Sequence, residues 1–339
     1  MRNAMQTRTQ VSESHRIRSV GRCDSAPTSL STPSACSGCG QAEGRVVLKE
    51  CKDLLHGVTG KWSLIECPKC GLIRIDPMPA DDQLAALYPS DYGPHLRGTR
   101  SAPRRGVGAI LRRIAVLPYT LRFGQPGIAC SPFGASRFLD VGCGAGILLQ
   151  EMMDAGWTGT GLDISDSAIA EARASLPAAT LFVGTLESTP LTGPYDLITM
   201  QHVLEHVPRP LECLRKCFDL LAPGGILLIA IPNIQSAEAR LLKRHWIGLD
   251  MPRHLSHFRE PVLINLLKSC GYQALRCRPQ MFASSISESL LLLLPPSVRT
   301  RVIRSKVARA WYLLLVFPAC LSYLLGNRGA IEIRARKPV

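Results

Sequence analysis

Phe138-Leu-Asp-Val-Gly-Cys-Gly-Ala-Gly146 decides how this chain folds. Phe138 to Val141 reads as a short buried strand. The chain then turns through Gly142, Gly144 and Gly146 into an apolar helix over Ile147 to Ala155. Glycine permits the positive φ and close backbone approach that such a turn needs. The turn also aims free helix N–H groups at whatever sits above the strand. Spacing narrows the ligand. A dinucleotide fingerprint, G-x-G-x-x-G, would set its third glycine at Ile147, whereas here the glycines follow the acid Asp140 at 142, 144 and 146. No Lys-Ser/Thr pair of a phosphate-binding loop follows.

Gly159-Thr-Gly-Leu-Asp163 reads as a second strand ending in an acid, one strand–helix unit later. A carboxylate there can accept two hydrogen bonds from a ribose diol. Ser165 to Leu176 reads as a helix and Thr180 to Val183 as a third strand. Tyr195-Asp-Leu-Ile-Thr-Met200 reads as a fourth, running into Gln201-His-Val-Leu-Glu-His-Val207. An amphipathic helix, Leu211 to Leu221, is closed by Ala222-Pro-Gly-Gly225, and Ile226 to Ile231 is a fifth strand before Pro232-Asn233.

This succession resembles the class I S-adenosylmethionine (AdoMet) methyltransferases, and especially the broad ubiquinone-methyltransferase-like group, from Ser131 to about Gly271. The resemblance implies an α/β fold: a Rossmann-like seven-stranded sheet with helices on both faces. Its last strand, here the alternating Ala330 to Arg336, inserts antiparallel between the fifth and the sixth, Tyr272 to Arg278. It implies AdoMet as cofactor, held by Asp140, Gly142, Cys143, Gly144, Gly146, Asp163, Ile164 and Gln201. In the family an acid after the third strand often meets the adenine; here Gly184-Thr-Leu-Glu187 displaces it. Met251-Pro-Arg-His-Leu-Ser-His-Phe258 resembles a segment found on the substrate side of the family's pocket.

Ahead of the sheet, Cys36-Ser-Gly-Cys39 and Cys67-Pro-Lys-Cys70 are paired C-x2-C knuckles, each followed by glycine. Four thiolates so placed suit tetrahedral zinc, and a closed four-thiolate site is structural. The intervening stretch holds a hairpin, with Arg45 to Leu48 and Trp62 to Glu66 as strands, and Asp81 to Tyr88 reads as a short helix with Asp81 or Asp82 near its cap. The thirteen cysteines are an odd number in a long chain without an apolar leader, which points to a reducing, cytoplasmic setting and to metal rather than disulfides.

The chain thus divides into a disordered, basic N-terminus over 1–35, a zinc-knuckle module over 36–92 and a basic linker helix over 93–130. A methyltransferase domain over 131–339 carries an apolar helical insert at 284–326. No acid occurs between Tyr92 and Ser136, whereas Arg97, Arg100, Arg104, Arg105, Arg112, Arg113 and Arg122 do. Forty Lys and Arg against 26 Asp and Glu give +14, which suits an anionic partner. An anionic membrane, touched peripherally, is one such partner. Trp311 to Leu325 is too short for a spanning helix.

Four histidines, His202, His206, His254 and His257, could serve as a base near neutral pH. His202 ends the fourth strand and ranks first; His254 ranks second. If His202-x-x-Glu205-His206 were helical, its three side chains would share a face in metal-ligand fashion. The plainer reading, in which Glu205 and His206 pin a helix start and no metal assists, is preferred. The expected activity is methyl transfer to a small-molecule, glycan or lipid-linked acceptor, O-directed. Three alternatives stand beside it: a sugar C-methyltransferase, a zinc-module RNA methyltransferase and a non-catalytic interaction protein. The RNA reading has charge in its favour, but Pro232-Asn233 lacks the Asn/Asp-Pro-Pro-Tyr/Phe pattern of base amino-methylases. The intact glycines and Asp163 argue against a non-catalytic role.

Overall fold

The computed structural model describes residues 35–88, 136–280, 284–305 and 321–339, with the isolated positions 117, 121, 315, 318 and 319. Nearly all of the expected disordered N-terminus and of the basic linker helix, and about half of Trp311 to Leu325, lie outside the described residues.

β1 (Arg45–Cys51) and β2 (Trp62–Glu66) form the expected antiparallel hairpin, and β3 (Ile73–Asp76) pairs with the free edge of β2. Trp62, Leu64, Ile73 and Ile75 pack with Trp246, Leu249, Met251 and Leu255, which come from far along the chain. The expected short helix is a 3-10 segment, Asp81–Leu87, capped at Ala80 and by neither Asp81 nor Asp82. Gln83 Oε1 accepts from the Ala80 N–H at 3.2 Å, while the Asp81 carboxylate is drawn outward to Arg209 at 2.9 Å.

The remaining elements alternate as expected. They are β4 (Arg137–Val141), α1 (Ile147–Asp154), β5 (Thr158–Asp163), α2 (Asp166–Ser175), β6 (Thr180–Val183), β7 (Tyr195–Gln201), α3 (Pro210–Leu220) and β8 (Leu221–Pro232). Then come α4 (Ala237–Leu242), β9 (Ser256–His257), α5 (Glu260–Ser269), β10 (Gln273–Gln280), α6 (Ser285–Leu291), α7 (Pro296–Arg304) and β11 (Ala330–Arg336). Seven strands pair in the order β10-β11-β8-β7-β4-β5-β6. β4 to β8 run parallel, and β11 is antiparallel to both its neighbours.

A parallel sheet covered on both faces needs strands that are apolar on both sides. Leu139, Val141, Ile198, Met200, Leu227 and Ile229 face Leu214 and Cys217 of α3 and Leu263 and Leu267 of α5. Phe138, Leu197 and Leu228 face Leu149 and Met152 of α1 on the other side. Strand order reverses between β4 and β7, so a crevice opens at their carboxyl ends, the usual place for a ligand in such sheets.

Two departures from expectation have local causes. β8 begins at Leu221 rather than Ile226, because the tail beyond β11 straightens the Ala222–Gly225 stretch. The Gly224 N–H donates to the Lys337 carbonyl at 3.1 Å, and Lys337 Nζ donates to the Phe218 and Leu221 carbonyls, each at 2.8 Å. The described part of the insert is less apolar inside than expected: α6 turns Ser285, Ser287 and Ser289 inward, with Ser289 Oγ accepting from the Ile247 N–H at 3.0 Å. No helix among the described residues is long and apolar enough to cross a membrane.

The cysteine-bearing hairpin is sewn to the larger sheet's loops. β9 pairs with β3, Ile73 opposite His257 and Arg74 opposite Ser256, making a four-stranded sheet β1-β2-β3-β9. Arg253, fully buried, donates to both oxygens of Asp53 at 2.9 Å, to Asp250 through Nε and Nη2 at 2.8 and 2.6 Å, and to the Leu87 and Met251 carbonyls. Asp53 also receives the backbone N–H groups of Leu55, His56 and Val58. Burial alone would push the Asp53 and Asp250 carboxyls up, but these donors hold both below the usual carboxylate range, with His254 also drawing Asp250 down.

Arg253→Ala would strand two buried carboxylates, at a cost of about 3–5 kcal/mol in urea unfolding at pH 7. Because the folded pKa values are depressed, this stabilisation is present above the unfolded value and is lost as pH falls through and below about 4. The gap between wild type and variant should therefore narrow in acid; a gap under about 1 kcal/mol at pH 7 would remove the clamp from any structural role.

Candidate functional site

The glycine loop lies over the carboxyl end of β4. Gly142 (φ 74°) and Gly146 (φ 82°) are closely backed: a Cβ would lie 2.3 Å from Val203 Cγ2 in the first and 2.6 Å from Leu176 Cδ1 in the second. At Gly144 (φ 54°) a Cβ would meet nothing within 4 Å, so the middle of the loop faces open space. The Gly142 and Cys143 N–H groups donate to the Leu162 carbonyl at 2.7 and 3.0 Å, which fastens the loop to β5. Asp163, at the end of β5, accepts from the Gly144 N–H on Oδ2 and the Ser165 N–H on Oδ1, each at 2.8 Å. Each oxygen keeps lone-pair capacity for a further donor. Beside it Ile164 is half exposed, an apolar surface for a flat ring. An open cradle, an acid with spare acceptors and an apolar rim together fit AdoMet.

Not every predicted cofactor residue faces that space. Asp140 is buried, and its Oδ1 accepts from the Thr199 hydroxyl at 2.5 Å, tying β4 to β7 beneath the loop. Burial, with Asp163 nearby, pushes its carboxyl up to about 7. The Cys143 thiol is buried under the loop, where a Cβ on Gly161 would lie 2.9 Å from it, and the Cys143 backbone is bonded to the Leu162 carbonyl and the Gly146 N–H. Gln201 at the end of β7 accepts from Gln280 Nε2 at 3.0 Å.

Histidines gather across the crevice. His202 follows β7 with φ 55°, a left-handed conformation that His adopts more readily than most residues. Its N–H donates to the Ala230 carbonyl at 2.8 Å, and its side chain, 37% exposed, sets Nδ1 3.4 Å from Glu205 Oε1. Glu205 is buried; burial would raise its carboxyl, but His202, His254 and His206 around it hold it down to about 2. His206 stacks edge-on against His254, centroids 4.6 Å apart, and its Nδ1 lies 3.0 Å from both the Arg253 carbonyl and the Tyr88 hydroxyl. Nδ1 of His254 lies 2.8 Å from the Gly248 carbonyl. Burial holds His206 at about 4 and His257 at about 3, so both rings are neutral at pH 7.

The structure thus brings all four candidate histidines to one place. Tyr88, Asp53 and Asp250 went unassigned in the sequence. Tyr88 comes from the cysteine-bearing part, and burial raises its hydroxyl well above the ordinary tyrosine range. Its signal was present only as an aromatic residue at the end of the short helix preceding the basic stretch.

The four knuckle cysteines also meet. Their Sγ atoms all lie within 4.8 Å of one another, with Cys36–Cys70 and Cys39–Cys67 at 3.5 Å. Sulfurs 2.3 Å from a tetrahedral zinc would be about 3.8 Å apart, so the set fits the ion. Each knuckle closes through its glycine, the Gly40 N–H on the Cys36 carbonyl and the Gly71 N–H on the Cys67 carbonyl. The hydrogen bond with Cys70 draws the Cys36 thiol down to about 5.

Residues 109–276 match a family model described as a methyltransferase domain. The ubiquinone biosynthesis O-methyltransferase of Caulobacter sp. (strain K31) is 37% identical over 118 residues, 33% of this chain and 47% of the relative. That of Vibrio parahaemolyticus is 38% identical over 103 residues, 29% of this chain and 44% of the relative. The chain spans about half the length of these curated relatives. The crystal structure of the [4+2]-cyclase SpnF aligns with 71% of this chain and 85% of its own at 21% identity and a TM-score of 0.43.

Protein purified without chelator should carry one zinc per chain by elemental analysis, and Cys67→Ser should lose it. Cys36, Cys67 and Leu72 belong to the same apolar cluster as β8 and α5. The loss should therefore lower the melting temperature of the whole unit, not of a separate small domain. Zinc-free wild type that melts like the loaded protein would argue against a structural ion.

Proposed function

We propose that this chain, whose residues 109–276 match a family model described as a methyltransferase domain, is a class I AdoMet-dependent methyltransferase that transfers the AdoMet methyl group to a hydroxyl of a small molecule. The observation that carries the reading is the meeting, at the ends of β4, β5 and β7, of an open glycine cradle, an acid and an imidazole. Similarity to O-methyltransferases over about half their length supports a hydroxyl acceptor.

AdoMet supplies a methyl already activated on a sulfonium, so the protein's part is alignment and proton removal. Asp163 holds the ribose through its remaining lone pairs while the loop amides stay fixed on β5. His202 is the base. Glu205 beside Nδ1 favours a proton there, which leaves Nε2 to take the acceptor's proton. His254 is the second candidate, with Nδ1 tied to a carbonyl and the ring deeper in the protein. Arg253, next to His254 in the chain, is engaged by Asp53, Asp250 and two carbonyls. That favours an acceptor uncharged at its reacting end.

A lipid-linked acceptor fits one further surface. Leu293, Val298 and Ile303 are exposed on or beside α7, which also carries Arg299 and Arg301. We propose peripheral contact with an anionic membrane there.

The test is transfer of labelled methyl from AdoMet into phenolic, glycan and lipid fractions. Asp163→Ala should weaken AdoMet binding by about 1.5–3 kcal/mol. His202→Ala should leave AdoMet affinity alone and lower kcat by about 10²–10⁴. Full activity in His202→Ala would transfer the role to His254 or to no base. Separately, the protein should sediment with anionic vesicles, less so as salt rises, and not with neutral ones; equal sedimentation with both would end the electrostatic part of the membrane proposal.

A further inference from the structure

Arg74, in β3, is a second guanidinium with no exposed surface, and unlike Arg253 it has almost nothing to bond. Its Nε and Nη1 are buried without a hydrogen-bond partner, and Nη2 reaches only the Ala42 carbonyl at 3.4 Å, near the limit of a useful bond. Among the described residues no carboxylate pairs with it. Glu66 is held by Arg45 and Arg259, and Asp53 and Asp250 are held by Arg253. Asp76 lies two residues along the same face of β3 and forms no ion pair with Arg74. Across the β3–β9 pairing, Ser256 stands opposite Arg74, and directly paired residues present their side chains on one face. Ser256 Oγ is also buried without a partner. On the other side Arg74 is paired with Ile65, itself buried and apolar. Donors taken from water without an acceptor are strongly unfavourable, a charged one most of all, and folded chains keep few of them.

We propose that Arg74, with Ser256 beside it, binds a phosphate-type oxyanion at the seam between β3 and β9. A guanidinium only donates and a serine hydroxyl can donate, so the ligand must bring acceptors together with negative charge. The planar guanidinium suits a phosphate group, and apolar walls strengthen the attraction. The way in is short. The side chain reaches toward residues 42–44, which join the first knuckle to β1. A Cβ on Gly44 would lie 3.5 Å from Arg74 Nη1 and 2.0 Å from Ile65 Cγ2, so only glycine lets the backbone press so closely there. Ala42, Glu43 and Gly44 are all exposed, and displacing them opens the guanidinium to solvent. The histidines lie elsewhere: His257 follows Ser256 and points to the opposite face, its ring 6.1 Å from that of His254. The proposal therefore does not rest on methyl transfer. An anion here would join a strand of the cysteine-bearing sheet to one that follows β8, the same docking that Arg253 secures.

The test uses the full zinc-loaded chain without AdoMet, and inorganic phosphate as probe, at pH 7 and an ionic strength held constant with chloride. Titration calorimetry should show one phosphate bound per chain. Arg74→Met should weaken that binding at least about tenfold, and Ser256→Ala should weaken it less, as expected for losing a charged and an uncharged donor. A thermal melt gives a second readout. Phosphate should raise the melting temperature of the wild type and not that of Arg74→Met. Without phosphate, Arg74→Met should melt no lower than the wild type, because an apolar chain replaces a buried charge that nothing compensates. Arg74→Lys keeps the charge without the fork and serves as a second variant, also weaker in binding. Arg240→Gln, exposed on α4, should bind as the wild type does, which separates the site from general attraction to a chain of charge +14. Glycerol phosphate distinguishes the source: tighter binding than inorganic phosphate assigns the site to a phosphorylated molecule, weaker binding to the free ion. The proposal is overturned if the wild type binds no phosphate, or if neither Arg74 variant weakens its binding. Since AdoMet is absent, neither result bears on methyl transfer.

Discussion

A guanidinium with no access to water holds the histidine-bearing side of the crevice together. Arg253 has no exposed surface, and removing a cation from water is costly unless every donor finds a partner. Its partners are Asp53, Asp250 and the carbonyls of Leu87 and Met251. Satisfying them fixes the loop between β1 and β2, the end of the 3-10 segment and the turn that carries His254. The carbonyl of Arg253 itself then faces Nδ1 of His206. One residue thus sets both the docking of the cysteine-bearing sheet and the proton arrangement of the histidine cluster.

The two halves of the crevice are built differently, and this decides what could be read in advance. The cofactor half is local. Gly142, Gly144 and Asp163 sit at successive strand ends, and burial on both faces forces β4, β7 and β8 to be recognisably apolar. The loop and the parallel strands could therefore be read from the sequence, whereas the strand order and the inserted β11 came from the resemblance to the methyltransferase family. The histidine half is assembled across long separations. Nothing near Asp53 indicates that Arg253 is its partner, and nothing in Met251–Phe258 shows that Ser256 and His257 will pair with β3. His254 joins Glu205 and His206 only through that docking, so nothing local to positions 202, 205 and 206 announces it.

Smaller misreadings have the same origin. Asp81 suits a helix cap, but Arg209 draws its carboxylate away. Ala222-Pro-Gly-Gly225 suits a turn, but Lys337 converts it into strand by supplying both donor and acceptor. Asp140 and Cys143 suit ligand contact, yet their side chains point under the loop, because the neighbouring strands leave them only buried space. In each case a local preference yields to a partner that the nearby sequence does not contain.

The pairing of β9 with β3 has a consequence for synthesis. Residues 73–76 leave the ribosome about 180 residues before Ser256 and His257. Until then the knuckles can gather their ion, but the outer edge of β3 has no neighbour, and the buried face of Trp62, Leu64 and Ile75 lacks the Trp246, Leu249 and Leu255 that cover it. An unpaired edge beside an uncovered apolar face is what binds other chains. The nascent protein is therefore most exposed to misassociation while the glycine-loop half is emerging, and that exposure ends when the arginine arrives.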